Sequence, residues 1–132
     1  MSEGYAEIIR SGVDAFNRGD WDAAFEYFAP DFELDNSRDL GEWRGVHRSA
    51  DEVKRMWATF TAPWESWRMQ IDEIIEAGEH LVTRQTMFIR GRDGIELTAR
   101  NNFLWTIRDG AVTKLVSYPE VGDALEAAGL SR

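Results

Sequence analysis

Apolar positions in the first half of the chain recur at helical spacing. Tyr5, Ile9, Val13 and Phe16 share one face of a helix, and Gly19 is a natural stop. Asp20 is placed to cap a second, short helix that carries Trp21, Phe25 and Phe28 on one stripe before Pro30 ends it. Asp31 to Asn36 then alternates as a short strand, with Phe32 and Leu34 on one face and Glu33 and Asp35 on the other. A polar loop follows through Gly41 and Gly45. Ser49-Ala-Asp-Glu52 is a capping box, and it opens a third helix with Val53, Met56, Trp57 and Phe60 at i, i+3, i+4 and i+7. Ala62-Pro63 closes that helix.

The second half alternates with period two. Trp67, Met69 and Ile71 lie on one face, and the pair Ile74-Ile75 breaks the alternation, which marks a bulge or the end of the strand. Leu81 to Arg90 is a long strand, Arg92-Asp93-Gly94 a hairpin turn, and Ile95 to Ile107 a longer strand. Asp109-Gly110 turns the chain into Ala111 to Tyr118, and a short Ala-rich helix runs from about Val121 to Gly129. Helices gathered on one face of a long, twisted antiparallel sheet make an α+β fold. A long sheet with a bulge tends to curl and, with its helices, to enclose a cavity.

Alternation also assigns faces. Leu97, Ala99, Asn101, Phe103, Trp105 and Ile107 form one face of their strand and belong inside, where Asn101 is the strongly polar member. On the neighbouring strand Leu81, Thr83, Gln85, Met87 and Ile89 have apolar ends and a polar middle. Polar groups set among apolar ones on an inward face describe a ligand pocket. They equally describe a satisfied core in which Gln85 and Asn101 bond each other or water. Met56 and Trp57 roof this space from the third helix, whereas Trp43 sits in a loop where periodicity is silent, as a lid or as an anchor. The register of Asp35 and Asn36 decides between a buried carboxylate able to move protons and a neutral amide. The alternation with Phe32 and Leu34 turns Asn36 inward and Asp35 outward. His47 is the histidine beside this loop that can act near neutral pH, and His80 belongs to a surface turn.

Composition narrows the partners. A net charge of −9 without a basic stripe argues against nucleic acid and anionic membranes, both of which need Lys/Arg surfaces. Six Trp and seven Phe demand large apolar surfaces inside the fold or at an interface. No cysteine is present, and no stretch reads as a signal peptide or a membrane span, so a cytoplasmic domain spanning residues 1–132 is expected. No Gly-rich phosphate loop, Ser elbow or metal-ligand spacing stands out, so no cofactor and no metal are expected. The face opposite the pocket carries Val82, Phe88, Leu104, Val116 and Tyr118 with Arg84 and Arg100. That mixture suits a homodimer interface, with packing of the C-terminal helix as the competing explanation.

Two segments carry a family resemblance: GVDAFNRGDWDAAFEYFAPDFELDNSRDLGEWRG, from Gly12 to Gly45, and FLWTIRDGAVTKLVSYPE, from Phe103 to Glu120. Their features are a helix ending Asn17-Arg-Gly-Asp20, Ala29-Pro-Asp31 leading into a strand, Gly45 before the third helix, and a strand pair around Asp109-Gly110. Together they resemble the nuclear transport factor two-like superfamily, particularly its SnoaL-like polyketide cyclase and ketosteroid isomerase branches. The resemblance implies a cone, a curled antiparallel sheet closed by three N-terminal helices with an apolar central pocket, and a dimer through the sheet face.

Ketosteroid isomerases work with a general-base Asp and an oxyanion hole of a Tyr and a protonated Asp. Matched without gaps, those positions fall on Asn36, Gly12 and Phe103. The cyclase acid also falls on Phe103, and the Arg and two Asp of limonene epoxide hydrolases fall on Gln85, Met87 and Ser117. The resulting expectation is a small-molecule-binding domain for an apolar, polycyclic or aromatic ligand. Trp57, Met87, Phe103 and Trp105 supply stacking and apolar contact, and Asn36, Thr83, Gln85 and Asn101 recognise a carbonyl or hydroxyl, with Ser117, Trp43 and Met56 completing the lining. The alternative is an isomerase, cyclase or epoxide hydrolase-type enzyme with a relocated acid/base, Asp35 or His47. A purely structural dimerisation module is the third class, and it leaves the inward polar residues without a task.

Overall fold

A computed structural model describes residues 2–38, 44–77 and 80–130. Helices α1 (Ser2–Asn17) and α2 (Trp21–Ala24) precede strands β1 (Phe28–Asp35) and β2 (Val46–Arg48), and α3 (Ala50–Thr61) follows. Strands β3 (Trp64–Ala77), β4 (His80–Gly91), β5 (Glu96–Arg108) and β6 (Ala111–Tyr118) form a meander, and α4 (Val121–Ala127) comes last. One curled six-stranded sheet has the order β2-β1-β6-β5-β4-β3.

The sheet is not wholly antiparallel, as the alternation had suggested. β1 runs parallel to β6, with Leu34 opposite Leu115 and Asp35 opposite Val116. A parallel pair needs a long crossover. Here α3 and the β3–β5 strands supply it, so the first and last strands meet although most of the chain lies between them.

α1 ends where its last residues dock on β3. The Trp67 indole N–H donates to the Phe16 carbonyl at 3.0 Å. Asn17 bonds Met69 in both directions, donating from Nδ2 to the carbonyl at 2.9 Å and accepting from the N–H at 2.7 Å. Gly19 then takes φ +73°, and Asp20 caps α2 by accepting from the Ala23 N–H. α2 is shorter than the apolar stripe predicts, because Phe28 starts β1 instead of ending the helix. Phe28 pairs with Val112 and packs edge-on against Phe25 and beside Phe32, both at 4.7 Å. Pairing with β6 outweighs the local helical pattern. β2 pairs with β1 from a stretch read as loop; its three residues are too few for any period to register.

The N-cap of α3 is Ser49, which accepts from the Glu52 N–H at 3.1 Å. Glu52 reaches one residue past the usual box, accepting from the Arg48 N–H at 2.8 Å, because the Ser49 N–H is given to the Phe32 carbonyl. In β3 the register slips between Ile71 and Glu73. That slip puts Ile71 and Ile74 together on the inner core and turns Ile75 to the outer face, beside Val82. The inner core joins Ile9 of α1, Val53 and Met56 of α3, Phe32 and Leu34 of β1 and the buried faces of β4–β6.

Two expectations about faces change. Leu97, assigned inside, is 61% exposed, since the first half of β5 runs on beyond the end of β6 and pairs with β4 alone. On the outer face α4 covers Val82, Leu104 and Val116 with Ala124 and Leu125, so the competing explanation accounts for most of that apolar patch.

Candidate functional site

Between α3 and the inner face of the sheet lies a cavity of about 590 Å³. α3 contributes Met56, Trp57 and Phe60; β4 contributes Met87 and Ile89; β5 contributes Ala99, Asn101 and Phe103. Leu34 and Asn36 line it from the first strand, Ser117 from β6, and Trp64 from the start of β3. A second, narrower cavity of about 90 Å³ lies towards α1 and α2. The two share Leu34, Trp57 and Phe103, which form the partition between them.

The helical spacing of α3 makes its roof continuous. Trp57 and Phe60 stack at 5.5 Å between ring centroids, Phe60 meets Trp64 edge-on at 4.6 Å, and Phe16 meets Trp57 edge-on at 5.1 Å. Rings held from several sides in this way present pre-formed apolar walls.

Asn36, Met56, Trp57, Met87, Asn101, Phe103 and Ser117 all line the larger cavity. Asn36 is buried and its backbone N–H donates to the Gly45 carbonyl at 2.7 Å, which holds the end of the strand against the following loop. Gln85 and Trp105 line the narrower cavity, but Thr83 lines neither. The polar middle of β4 is satisfied within the protein. Trp105 Nε1 donates to Thr83 Oγ1 at 2.9 Å, Thr83 Oγ1 donates to Gln85 Oε1 at 2.8 Å, and Gln85 Nε2 donates to Met69 Sδ at 3.1 Å. Gln85 and Asn101 are cross-strand neighbours, yet the bonds of Gln85 run along its own strand and to β3.

Asp35 and His47 are absent from the lining of both cavities. Asp35 faces the other side of β1, opposite Val46 and Val116. Its Oδ1 accepts from the Ser37 N–H at 2.9 Å and its Oδ2 lies 3.4 Å from Arg38 Nη1. Partial burial pushes the carboxyl up, but the Ser37 hydrogen bonds and the Arg38 guanidinium outweigh it and hold the group below its ordinary value. His47 is paired with Leu34 on β2 and is half-buried. Trp43 lies outside the described residues.

Pattern reading missed Arg38, Arg44, Phe60 and Trp64, and it set Arg100 and Tyr118 on the opposite face of the sheet, yet all six line the larger cavity. Phe60 had a signal, one turn on from Trp57 and Met56. Arg38 and Arg44 had none, because a loop carries no period. Among the described residues, no group of His, Asp and Glu gathers in a way that could hold a metal ion.

The family model described as a SnoaL-like domain matches residues 9–115. Among solved structures, TerC co-crystallised with polyporic acid shares 21% identity with a TM-score of 0.77, over 96% of this chain and 98% of that one. A protein of ketosteroid isomerase-like fold from Catenulispora acidiphila, in complex with trimethylamine, shares 17% identity with a TM-score of 0.73, over 94% and 93% of the two chains. AclR of Streptomyces galilaeus, a proposed hydroxylase, shares 14% with a TM-score of 0.72, over 98% and 97%. These likenesses show a common fold. No curated protein matches the chain.

Proposed function

The chain belongs to the SnoaL-like domain family of the nuclear transport factor two-like superfamily, and from that premise we propose that it binds a small apolar or aromatic molecule in the cone formed by its sheet and its three N-terminal helices. The observation that carries this reading is the cavity of about 590 Å³, walled by Trp57, Phe60, Trp64, Met87 and Phe103 with Asn36, Asn101 and Ser117 among its lining. That volume falls within the range of ligand pockets, and apolar walls with a few polar groups fit a ring system bearing a carbonyl or hydroxyl. TerC, of the same fold, was co-crystallised with a small molecule, polyporic acid.

A binding role, rather than the acid/base chemistry of the isomerase and cyclase branches, is supported by the lining itself. The described residues of both cavities include no Asp, Glu or His. Asn36, at the position the resemblance assigns to the isomerase base, offers an amide that cannot take a proton. An enzyme working through His47 is the second reading, favoured by its register opposite Leu34, a residue that lines the cavity.

A thermal-shift screen with steroids, planar aromatic ketones and terpenoid epoxides tests the proposal. A ligand at about 100 times its dissociation constant adds roughly 2.7 kcal/mol to stability, and Trp57→Ala should abolish the shift. Stability unmoved by every compound would remove the binding role. Turnover of any compound that falls with His47→Gln would establish the second reading.

A further inference from the structure

Three arginines line the larger cavity, Arg38 and Arg44 from the segment after β1 and Arg100 from β5, and no described lining residue is acidic, in a chain whose net charge is −9. Arg38 and Arg44 lie together on one side of it. Arg38 is held rather than loose. Its guanidinium carbon lies 4.7 Å from the centroid of the Tyr118 ring, and Asp35 Oδ2 lies 3.4 Å from Nη1. Asp35 is fixed in turn by the Ser37 N–H, and Arg44 Nε donates to the Ser37 carbonyl at 3.3 Å. Both cations are thus tied to the short stretch that leaves β1, beside the buried Asn36.

One long contact to Asp35 occupies a single corner of the guanidinium. Among the described residues no other acidic group takes its remaining N–H donors, and the side chain stays 45% exposed at the cavity. A guanidinium stacked on a ring and anchored at one corner is pre-organised to take two oxygens of an anion at once. The negative charge of the whole chain does not oppose this, because charges beyond about 8 Å are screened at physiological salt while a direct contact is not. The side chains of Asn101, Trp57 and Trp64, which also line the cavity, have no hydrogen-bond partner among the described residues. Their N–H groups suit an oxygen-rich ring system.

We infer that the ligand is an anion, an aromatic or polycyclic acid whose rings lie against Trp57, Phe60 and Trp64 and whose charged oxygens are taken by Arg38. Asp35 is then a positioning residue: it and Tyr118 hold the guanidinium at the cavity. This inference rests on the binding role proposed above and specifies its ligand class.

The test uses a matched pair, 2-naphthoate and 2-naphthamide, titrated against the tryptophan fluorescence of the full chain. The carboxylate should bind about tenfold more tightly than the amide, the scale of one charge-assisted hydrogen bond over a neutral one. Arg38→Gln should bring the ratio of the two affinities to about one, and Asp35→Asn should lower it part of the way, with Asp35→Glu restoring it. Because the readout is a ratio within one variant, a general loss of fold does not imitate the result. Equal affinities in the parent chain, or a preference that survives Arg38→Gln, would overturn the inference while leaving aromatic binding in place. Failure of both compounds, alongside an unresponsive thermal screen, would overturn both.

Discussion

Thr83 has no exposed surface, and its hydroxyl both accepts from the Trp105 indole and donates to Gln85. A buried donor stranded without its acceptor costs more than a hydrogen bond is worth on balance, since it loses water as well. Thr83→Val keeps the shape and removes the acceptor, so it should destabilise the protein by about 1–3 kcal/mol. Urea unfolding would show this as a lower midpoint, and Thr83→Ser, which keeps the hydroxyl, should recover most of the loss. The inward direction of Thr83, Gln85 and Asn101 was legible in the alternation, because a strand's period assigns faces. Which polar group would satisfy which was not. Gln85 is spoken for by Thr83 and Met69, whereas Asn101, directly across from it, is left to face the cavity.

α3 shows an element whose start is written locally yet settled by its surroundings. Ser49 caps the helix at φ +75°, a backbone region that disfavours side chains. Its N–H is committed to Phe32 in β1, which holds the residue in that conformation. Ser49→Ala loses the cap and keeps the strain, and should cost about 0.5–2 kcal/mol. Ser49→Gly loses the cap but relieves the backbone and should cost only a few tenths. Thermal melts of the two variants would give the order, and an alanine variant as stable as the glycine one would refute the strain. Ser49 and Glu52 were recognisable as a cap from spacing alone. The diversion of Glu52 to the Arg48 N–H was not, since it depends on β1 taking the Ser49 N–H. Phe28 teaches the same lesson: a helical stripe becomes a strand once β6 lies beside it.

At the scale of the whole molecule, the outer face of the sheet is divided. α4 seals Val82, Leu104 and Val116, and what remains is Phe88 under the Arg68 guanidinium at 4.4 Å, near Thr86 bonded to Asp72. If two copies pair through this face, as the sequence suggests, they meet on that remaining part. Phe88→Glu should then convert a dimer to the monomer mass in sedimentation, without lowering the melting temperature of the isolated chain. A parent chain already monomeric at tens of micromolar would remove the expectation. The sequence by itself determined the elements, β2 and the start of β1 apart, and most of their inward faces, because periods of 3.6 and 2 are properties of neighbouring residues. Only the tertiary structure decided that β1 lies parallel to β6, that α4 covers the sheet, and that the outward Asp35 holds an arginine that lines the cavity. Those outcomes depend on which distant segments meet, and a local period carries no record of that.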